Sequence, residues 1–251
     1  MIKFFRKIRQ RLLTENKFSK YLLYAAGEIL LVMIGILLAL KVNSWNEERK
    51  HRKKEVQLYE NLLESLAADS ADLIRVRGLF DQGTNALRFV ISKSSQEHLY
   101  ENSLHALKDS IEMTTNIGFS FFPRYSAYNQ ITNNGYLDLI RSEEIKSKLA
   151  ELYDRTYVRY QHVDASMDEK SEFYLEPIMR GDLQIMESES GLPYKKDLDQ
   201  ELFLTHYPRF KRECLSILAT SVYAERSLIE CYEGNLELLI LIRNKLESSN
   251  P

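Results

Sequence analysis

The residue with the most unusual chemistry is Glu28, a carboxylic acid inside an apolar run of 20 residues from Tyr21 to Leu40. Inserting a carboxylate into the hydrocarbon core of a bilayer costs a free energy on the order of 2–3 kcal/mol. Protonation, a hydrogen bond across an oligomer interface, or a cation on another transmembrane helix would relieve this cost. The alternative is that Glu28 lies near the membrane surface and draws in water.

Aromatic residues form the second group that could take part in binding or chemistry. Tyr153, Tyr157 and Tyr160 follow i, i+4, i+7 spacing, which places their rings on one helix face. Such a face could form an aromatic groove for a ligand, glycan or peptide. The alternative is a core stripe whose hydroxyl groups reach toward the surface.

Catalytic signatures are absent from the sequence. It contains no phosphate-binding glycine loop, no dinucleotide-binding glycine motif and no H-E-x-x-H zinc motif. Cys214 and Cys231 are the only cysteines, and on one helix they would lie about 25 Å apart, too far for a disulfide. We therefore predict free thiols, no catalytic residues, no metal and no cofactor.

The apolar run itself predicts a transmembrane helix over residues 20–46. Twenty residues span about 30 Å, the thickness of the hydrocarbon core. The run is too long for a typical signal peptide and lacks a good cleavage site after Ala39, which favours an uncleaved signal anchor. Tyr21, Tyr24 and Trp45 are expected at the membrane interfaces.

Small and polar residues converge on one side of this helix. Gly35, Ala39 and Asn46 lie within about 20° of Glu28 at 100° per residue. Gly35 and Ala39 form a small-xxx-small pair, which allows close approach of a second helix. We predict that this face, from Glu28 to Asn46, is a transmembrane interaction surface.

Residues 1–19 are basic, and apolar residues share a broad arc over 2–13. This pattern is typical of an amphipathic helix on anionic headgroups, or else of a basic tail that only sets topology. Seven lysines and arginines precede the apolar run and six follow it closely. The distribution of basic residues therefore discriminates only weakly between the two membrane orientations. The short N-terminal segment favours a cytoplasmic N-terminus and a periplasmic C-terminal domain.

The stretch KFFRKIRQRLL and the later KYLLYAAGEILLVMIGILLALKVNSWNEERK together resemble a family of small single-pass membrane proteins of unknown function, common in Bacteroidetes. Members typically share an F-R-K-I-R start, a G-E-I before the apolar run, an I-G-I-L-x-A-L core and an N-x-W-N-E exit. The match covers about a fifth of the chain. The resemblance implies a membrane protein of a Gram-negative bacterium, without an activity.

Residues 47–251 are expected to form an all-α helical bundle, because apolar residues make up 44% of the chain and glycine and proline are few. Tyr59, Leu66, Leu73 and Phe80 repeat every seven residues on a helix that continues from the membrane and ends near Ser92. This spacing is typical of coiled-coil-like packing.

The last helix is predicted from Pro208 to about Leu246. Its apolar residues form two heptad series, which we expect to pack against the first helix: Leu215, Val222, Ile229 and Leu236, and Leu218, Tyr232, Leu239 and Leu246, with Glu225 as the exception. A helix that opens near Pro123 is expected to stop at Asn133-Asn134-Gly135, and Ser142 is expected to cap the helix that follows. Further breaks are predicted before Pro177 and near Gly191.

These features favour a non-enzymatic interaction or scaffold protein of the bacterial inner membrane. Its partners would be the bilayer and a second copy or another membrane protein, while a net charge near −2 argues against nucleic acid. The alternatives are a tethered ligand-sensing domain that acts through a partner and, with less support, a hydrolase.

Overall fold

The computed structural model describes residues 18–93, 101–114, 118–189, 192–195 and 197–249. The chain forms two compact units, Met1–Glu55 and Val56–Pro251. The boundary falls inside the first helix, α1, which extends from Phe18 to Ser92. The predicted segment 1–19 lies outside the described residues except for its last two.

In the first unit, α1 carries the apolar run and then a charged collar. The collar is stabilised by side-chain pairs one turn apart, Lys50 with Glu47 at 2.8 Å and Arg52 with Glu48 at 3.6 Å. All four side chains are well exposed, so each pair contributes only a few tenths of a kcal/mol.

In the second unit, α1 buries the predicted heptad stripe. Tyr59, Leu66, Leu73 and Phe80 are all buried, and Leu62 and Val76 fill the alternate positions. The helix ends at Ser92, as predicted. Asp69, which interrupts the stripe in the sequence, is also buried.

Two short helices follow, α2 (Glu101–Met113) and α3 (Ser126–Asn133). Gly135 has a positive φ of 68°, a conformation that glycine adopts without steric cost, and it separates α3 from a 3-10 turn over Tyr136–Leu139. The predicted stop at Asn134-Gly135 is therefore confirmed.

The next helical stretch contains α4 (Glu143–Ala150) and α5 (Tyr157–Lys170), joined by a π-helical turn over Glu151–Thr156. Ser142 caps α4, because its hydroxyl accepts a hydrogen bond from the backbone N–H of Ile145 at 3.3 Å. The cap was expected from the sequence.

The predicted break before Pro177 is wrong. Two further π-helical turns, Ser171–Leu175 and Ile178–Asp182, lie on either side of this proline, and the helical path ends only at Asp182. A π turn has a wider backbone ring than an α turn, which gives the proline ring room that a regular helix interior denies.

A hairpin not foreseen from the sequence follows. Strands β1 (Met186–Glu189) and β2 (Leu192–Lys195) pair antiparallel, with Met186 opposite Lys195 and Glu189 opposite Leu192. The strands are too short to show a period-two pattern in the sequence.

The last helix, α6, extends from Gln200 to Ser249, so the predicted start at Pro208 is late. Asp199 precedes the helix, and its carboxylate accepts a hydrogen bond from the N–H of Leu202 at 2.9 Å. This N-terminal cap starts the helix upstream of Pro208, which lies inside it.

The second unit has one hydrophobic core, built by every helix of that unit. The backbone of α6 lies mainly against α4, α5 and the π turns between Glu143 and Asp182. It meets α1 at Tyr207, whose hydroxyl donates to the carbonyl oxygens of Val90 and Ile91 at 2.9 and 3.2 Å. The fold is all-α with one small hairpin.

Candidate functional site

The apolar segment of α1 is exposed along its length. Large apolar side chains from Ile29 to Val42 are each about half exposed or more, and none of the most apolar window is buried. The helix is long and apolar enough to cross a membrane, with a mean window hydropathy of 2.2. Exposed aliphatic side chains on this scale need an apolar surrounding that the described residues do not supply.

The predicted interaction face lies on this exposed segment. Gly35, Ala39 and Asn46 are exposed, and Glu28 is half-buried. A Cβ added at Gly35 would meet nothing within 4 Å, so the space beside it is open. Trp45 is exposed near the collar, whereas the side chains of Tyr21 and Tyr24 lie outside the described residues.

The three tyrosines of the candidate groove are buried in the core. Tyr153, Tyr157 and Tyr160 are at most 1% exposed. Tyr128 stacks on Tyr153 with ring centroids 4.5 Å apart and an interplanar angle of 4°, and Tyr157 meets Tyr153 edge to face at 5.2 Å. These rings pack against one another and do not line an open groove in this conformation.

The hydroxyl groups of Tyr128, Tyr157 and Tyr160 are held by the protein's own polar groups, whereas the buried hydroxyl of Tyr153 has no hydrogen-bond partner among the described residues. Tyr128 donates to Asp154 at 2.6 Å, and Tyr160 donates to Asp164 at 2.9 Å. The side-chain amide of Asn235 donates to the hydroxyl of Tyr157 at 3.0 Å.

Burial raises the pKa of these tyrosines. The pKa of Tyr153, Tyr157 and Tyr160 lies above the ordinary value of 10.0, chiefly because the ring hydroxyls are removed from water. The pKa of Tyr128 is raised by burial and by its hydrogen bond to Asp154. The hydroxyls are therefore protonated at neutral pH, and those of Tyr128, Tyr157 and Tyr160 act as hydrogen-bonding groups of the core.

A buried ion pair joins α1 to the loop before α3. The fully buried Asp69 accepts from the guanidinium of Arg124 at 2.8 Å and from its backbone N–H at 3.2 Å. A second guanidinium nitrogen donates to Asp72 at 2.9 Å. Burial raises the pKa of Asp69 despite this pairing, and the two aspartates raise the pKa of Arg124.

This pair fixes the position of the segment that carries Tyr125 and Tyr128. Sequence reasoning noted Asp69 only as a gap in the heptad stripe. An acidic residue at a core position was the available signal, since buried charges are nearly always paired. Its partner could not be read from the sequence, because Arg124 lies 55 residues away.

Surface cavities near these elements are lined by charges that already pair with each other. One of about 280 Å³ lies between the π turn at Glu151 and α6. There Lys148 bonds Glu237 at 3.0 Å and Glu151 at 3.3 Å, while Arg159 pairs with Glu230. The described residues contain no group of three or more potential metal ligands.

Both cysteines are buried free thiols, as predicted. Burial raises the pKa of Cys214 and of Cys231 to about 12. A thiol with so high a pKa carries little thiolate and is a poor nucleophile.

Of the two predicted heptad series of α6, the first is wrong, whereas the second lies on the core side, where Leu239 is buried and Leu218, Tyr232 and Leu246 pack against the core. Leu215, Val222 and Leu236 are between 37% and 57% exposed, and Ile229 is only half-buried. The buried face instead follows 3–4 spacing through residues that include small and polar side chains. That face consists of Phe203, Tyr207, Phe210, Cys214, Ile217, Ser221, Ala224, Leu228, Cys231, Asn235, Leu238 and Ile242.

The physical reason is the volume of the opposing tyrosines. Asn235 reaches Tyr157, Cys231 lies 3.9 Å from the carbonyl oxygen of Thr156, and a Cβ on Gly234 would lie 3.2 Å from Leu152. Large rings on α5 leave room only for small side chains on α6. The aliphatic series, which the sequence made most prominent, is left on the outside.

These features define a helical bundle protein with one helix suited to crossing a membrane. The chain belongs to a family of unknown function, DUF6090, whose model matches residues 28–173, more than half of the chain. The matched region contains most of α1, the Asp69–Arg124 pair and the tyrosine cluster, but not α6. No curated protein and no solved structure matches the chain.

Proposed function

We propose that the protein is a single-pass membrane-anchored interaction protein without enzymatic activity, located in the inner membrane of a Gram-negative bacterium. The observation that carries this proposal is the exposed apolar segment from Ile29 to Val42. Burying it in hydrocarbon is favourable by about 25 cal/mol for each Å² removed from water. The bacterial origin and inner-membrane location rest on the family resemblance of the N-terminal segment.

The interaction role is supported by the face that carries Glu28, Gly35, Ala39 and Asn46. Inside a bilayer, helices associate through close packing at small residues and through polar groups, since lipid is as apolar as leucine. A carboxyl group that remains in a transmembrane helix marks a functional contact more often than an accident of composition. We infer that this face binds another transmembrane helix.

The polar groups of the bundle core support a non-catalytic role. The hydroxyls of Tyr128 and Tyr160 and the carboxylate of Asp69 are engaged in hydrogen bonds that hold the fold. We therefore assign these groups to stability and not to chemistry.

Affinity purification from native membranes tests the proposal. The variants are Glu28→Gln and Ala39→Leu, which remove the charge and the small residue from the predicted face. Ala26→Leu is the matched control, because Ala26 lies roughly 160° from Glu28 at 100° per residue. We expect each test variant to insert normally and to lose a partner that wild type and Ala26→Leu retain.

If wild type, Glu28→Gln, Ala39→Leu and Ala26→Leu all recover the same partners, the transmembrane face is not the interaction surface. Topology is tested separately by reporter fusions at both ends of the chain. We expect a cytoplasmic N-terminus and a periplasmic C-terminus, and the reverse result would overturn the proposed orientation.

A further inference from the structure

The charged collar of α1 places three cations on the same side of the helix as Trp45. At 100° per residue, Arg49, Arg52 and Lys53 lie within about 80° of Trp45, and we call these four residues the tryptophan face. All four side chains are exposed. The face therefore presents an indole ring and three positive charges to whatever surrounds this end of the apolar segment.

The charge of the tryptophan face is not balanced by the helix itself. Among the described residues, no carboxylate lies at ion-pair distance from Arg49 or Lys53. Arg52 meets Glu48 only at 3.6 Å, and both side chains are more than half exposed. Such an exposed pair is weak, so the guanidinium of Arg52 can exchange Glu48 for a better anion.

The position of the face along α1 limits what it can bind. Val42 is the last large aliphatic residue before the collar, and Trp45 follows it by about 4.5 Å at 1.5 Å per residue. Arg49 lies about 6 Å further along the helix. The polar interfacial region of a bilayer is about 5–8 Å thick on each side. A ligand of this face must therefore carry negative charge at the surface of the membrane.

The direction of the side chains favours the same ligand. Side chains of an α-helix point back toward its N-terminus. Because the apolar segment precedes the collar, the side chains of Arg49, Arg52 and Lys53 lean toward the membrane. A guanidinium group has a fork of N–H donors that matches phosphate oxygens, and tryptophan prefers the level of the lipid headgroups.

The tryptophan face is separate from the predicted transmembrane interaction face. Trp45 lies about 100° from both Asn46 and Glu28 around the helix. A second helix bound on the Glu28 side would leave Trp45 and Arg52 in contact with lipid. The two faces can therefore be occupied at the same time, one by protein and the other by phospholipid.

We propose that Trp45, Arg49, Arg52 and Lys53 bind the phosphate groups of anionic phospholipids at the C-terminal end of the membrane span. This inference rests on the proposed membrane anchor and names the class of lipid that its surface recognises. It requires anionic lipid only in the leaflet at that end, so it holds for either orientation of the chain.

Fluorescence quenching by brominated lipids tests the proposal, because Trp45 is the only tryptophan of the chain. The full-length protein is reconstituted in vesicles of phosphatidylcholine with a minority of phosphatidylglycerol. In one sample the phosphatidylglycerol is brominated on its acyl chains, and in the other an equal amount of the phosphatidylcholine is brominated. We expect phosphatidylglycerol to be enriched about fivefold beside Trp45 relative to its share of the vesicle.

Two double variants remove equal charge at equal spacing. Arg49→Gln with Lys53→Gln should reduce the enrichment to below about twofold. Lys50→Gln with Lys54→Gln is the matched control and should stay close to wild type, because these residues lie about 140° and 180° from Trp45. Circular dichroism confirms that the variants remain helical. An equal loss in both double variants would show attraction by net charge alone and would overturn the proposal.

Vesicles of brominated phosphatidylcholine alone test the anchor separately. Strong quenching there, without enrichment of phosphatidylglycerol in the mixture, would overturn this inference and leave the anchor intact. Absence of quenching would reject both. Inorganic phosphate should leave the enrichment unchanged relative to chloride at equal ionic strength. A selective loss in phosphate would assign the face to a soluble anion and would also overturn the proposal.

Discussion

The two long helices of the bundle use their apolar residues in opposite ways. In α1, from Val56 to Ser92, the large aliphatic and aromatic residues of the heptad stripe face the core. In α6, a stripe that contains cysteine, serine, alanine and asparagine faces the core, and a leucine- and valine-rich stripe faces outward. The difference shows that aliphatic residues at heptad spacing do not by themselves identify the buried face of a helix.

The cause lies in what each helix packs against. Tyr157 lies on the helix that faces α6 and is completely buried beside Asn235, so its ring fills volume that a larger side chain on α6 would otherwise fill. Interiors are packed to nearly constant density, so large side chains on one element require small ones on its neighbour. The aliphatic residues of α6 are then free to serve another contact.

The largest expected decrease in the free energy of unfolding comes from removing a core leucine of α1. Leu66→Ala should lower the free energy of unfolding by about 3 kcal/mol, because Leu66 is completely buried. Leu215→Ala on the outward face of α6 should cost at most about 1 kcal/mol, since Leu215 is 47% exposed. Denaturation in detergent at low protein concentration measures both. Equal losses would contradict the assignment of the two faces.

The second-largest decrease in the free energy of unfolding is expected from breaking the ion pair between Arg124 and the buried Asp69. Arg124→Met leaves the carboxylate of Asp69 buried without its guanidinium, and we expect a loss of about 2 kcal/mol at neutral pH. Arg75→Met is the control, because Arg75 is exposed and pairs with Asp72 only at 3.6 Å. Its substitution should cost less than about 0.5 kcal/mol.

The stability of the Arg124→Met variant is also expected to depend on pH. Burial raises the pKa of Asp69 above its ordinary value of 3.8, and loss of Arg124 raises it further. The folded protein then binds a proton more tightly than the unfolded chain, so acidification stabilises the variant relative to wild type. The difference between Arg124→Met and wild type should shrink as pH falls. A constant difference across the acidic range would argue against an ionised, buried Asp69.

The fold class, the stop at Ser92 and the cap at Ser142 could be predicted because each depends on residues that are close in sequence. The pairing of Asp69 with Arg124 and the orientation of α6 could not, because both depend on side chains from distant elements. Both heptad series of α6 satisfy the pattern, but only the series through Leu239 lies on the core side. Contacts with distant elements, such as that of Asn235 with Tyr157, decide which face is buried.

A smaller effect is expected from enlarging the inward face of α6. Cys231→Leu adds volume beside the backbone of Thr156 and should cost about 1–2 kcal/mol through overpacking. Val222→Leu makes a similar addition on the outward face of α6 and should change the free energy of unfolding by less than about 0.5 kcal/mol, because Val222 is exposed. The measurement is again the free energy of unfolding. A neutral Cys231→Leu would mean that the tyrosine packing does not restrict side-chain size on α6.

Ionisation of the buried tyrosines has the smallest effect on stability at neutral pH and becomes important only in alkali. Their pKa values are raised above 10.0 in the folded protein by burial. The stabilisation of the protonated form is complete below the unfolded pKa and is lost as pH rises through the folded values. We expect alkaline unfolding above about pH 10, with tyrosinate absorbance appearing together with loss of helix. Tyrosinate that forms before helix is lost would contradict the burial of the cluster.

The most direct test of the opposed faces of α6 compares two neighbouring positions, the buried Ser221 on the inward face and the exposed Val222 on the outward face. Each is changed to cysteine in the full-length protein, and the rate of thiol labelling is measured in detergent. Wild type gives the background from its two buried cysteines. The account predicts that Ser221→Cys is protected, whereas Val222→Cys is labelled rapidly. Labelling of Ser221→Cys in folded protein, or protection of Val222→Cys, would contradict it.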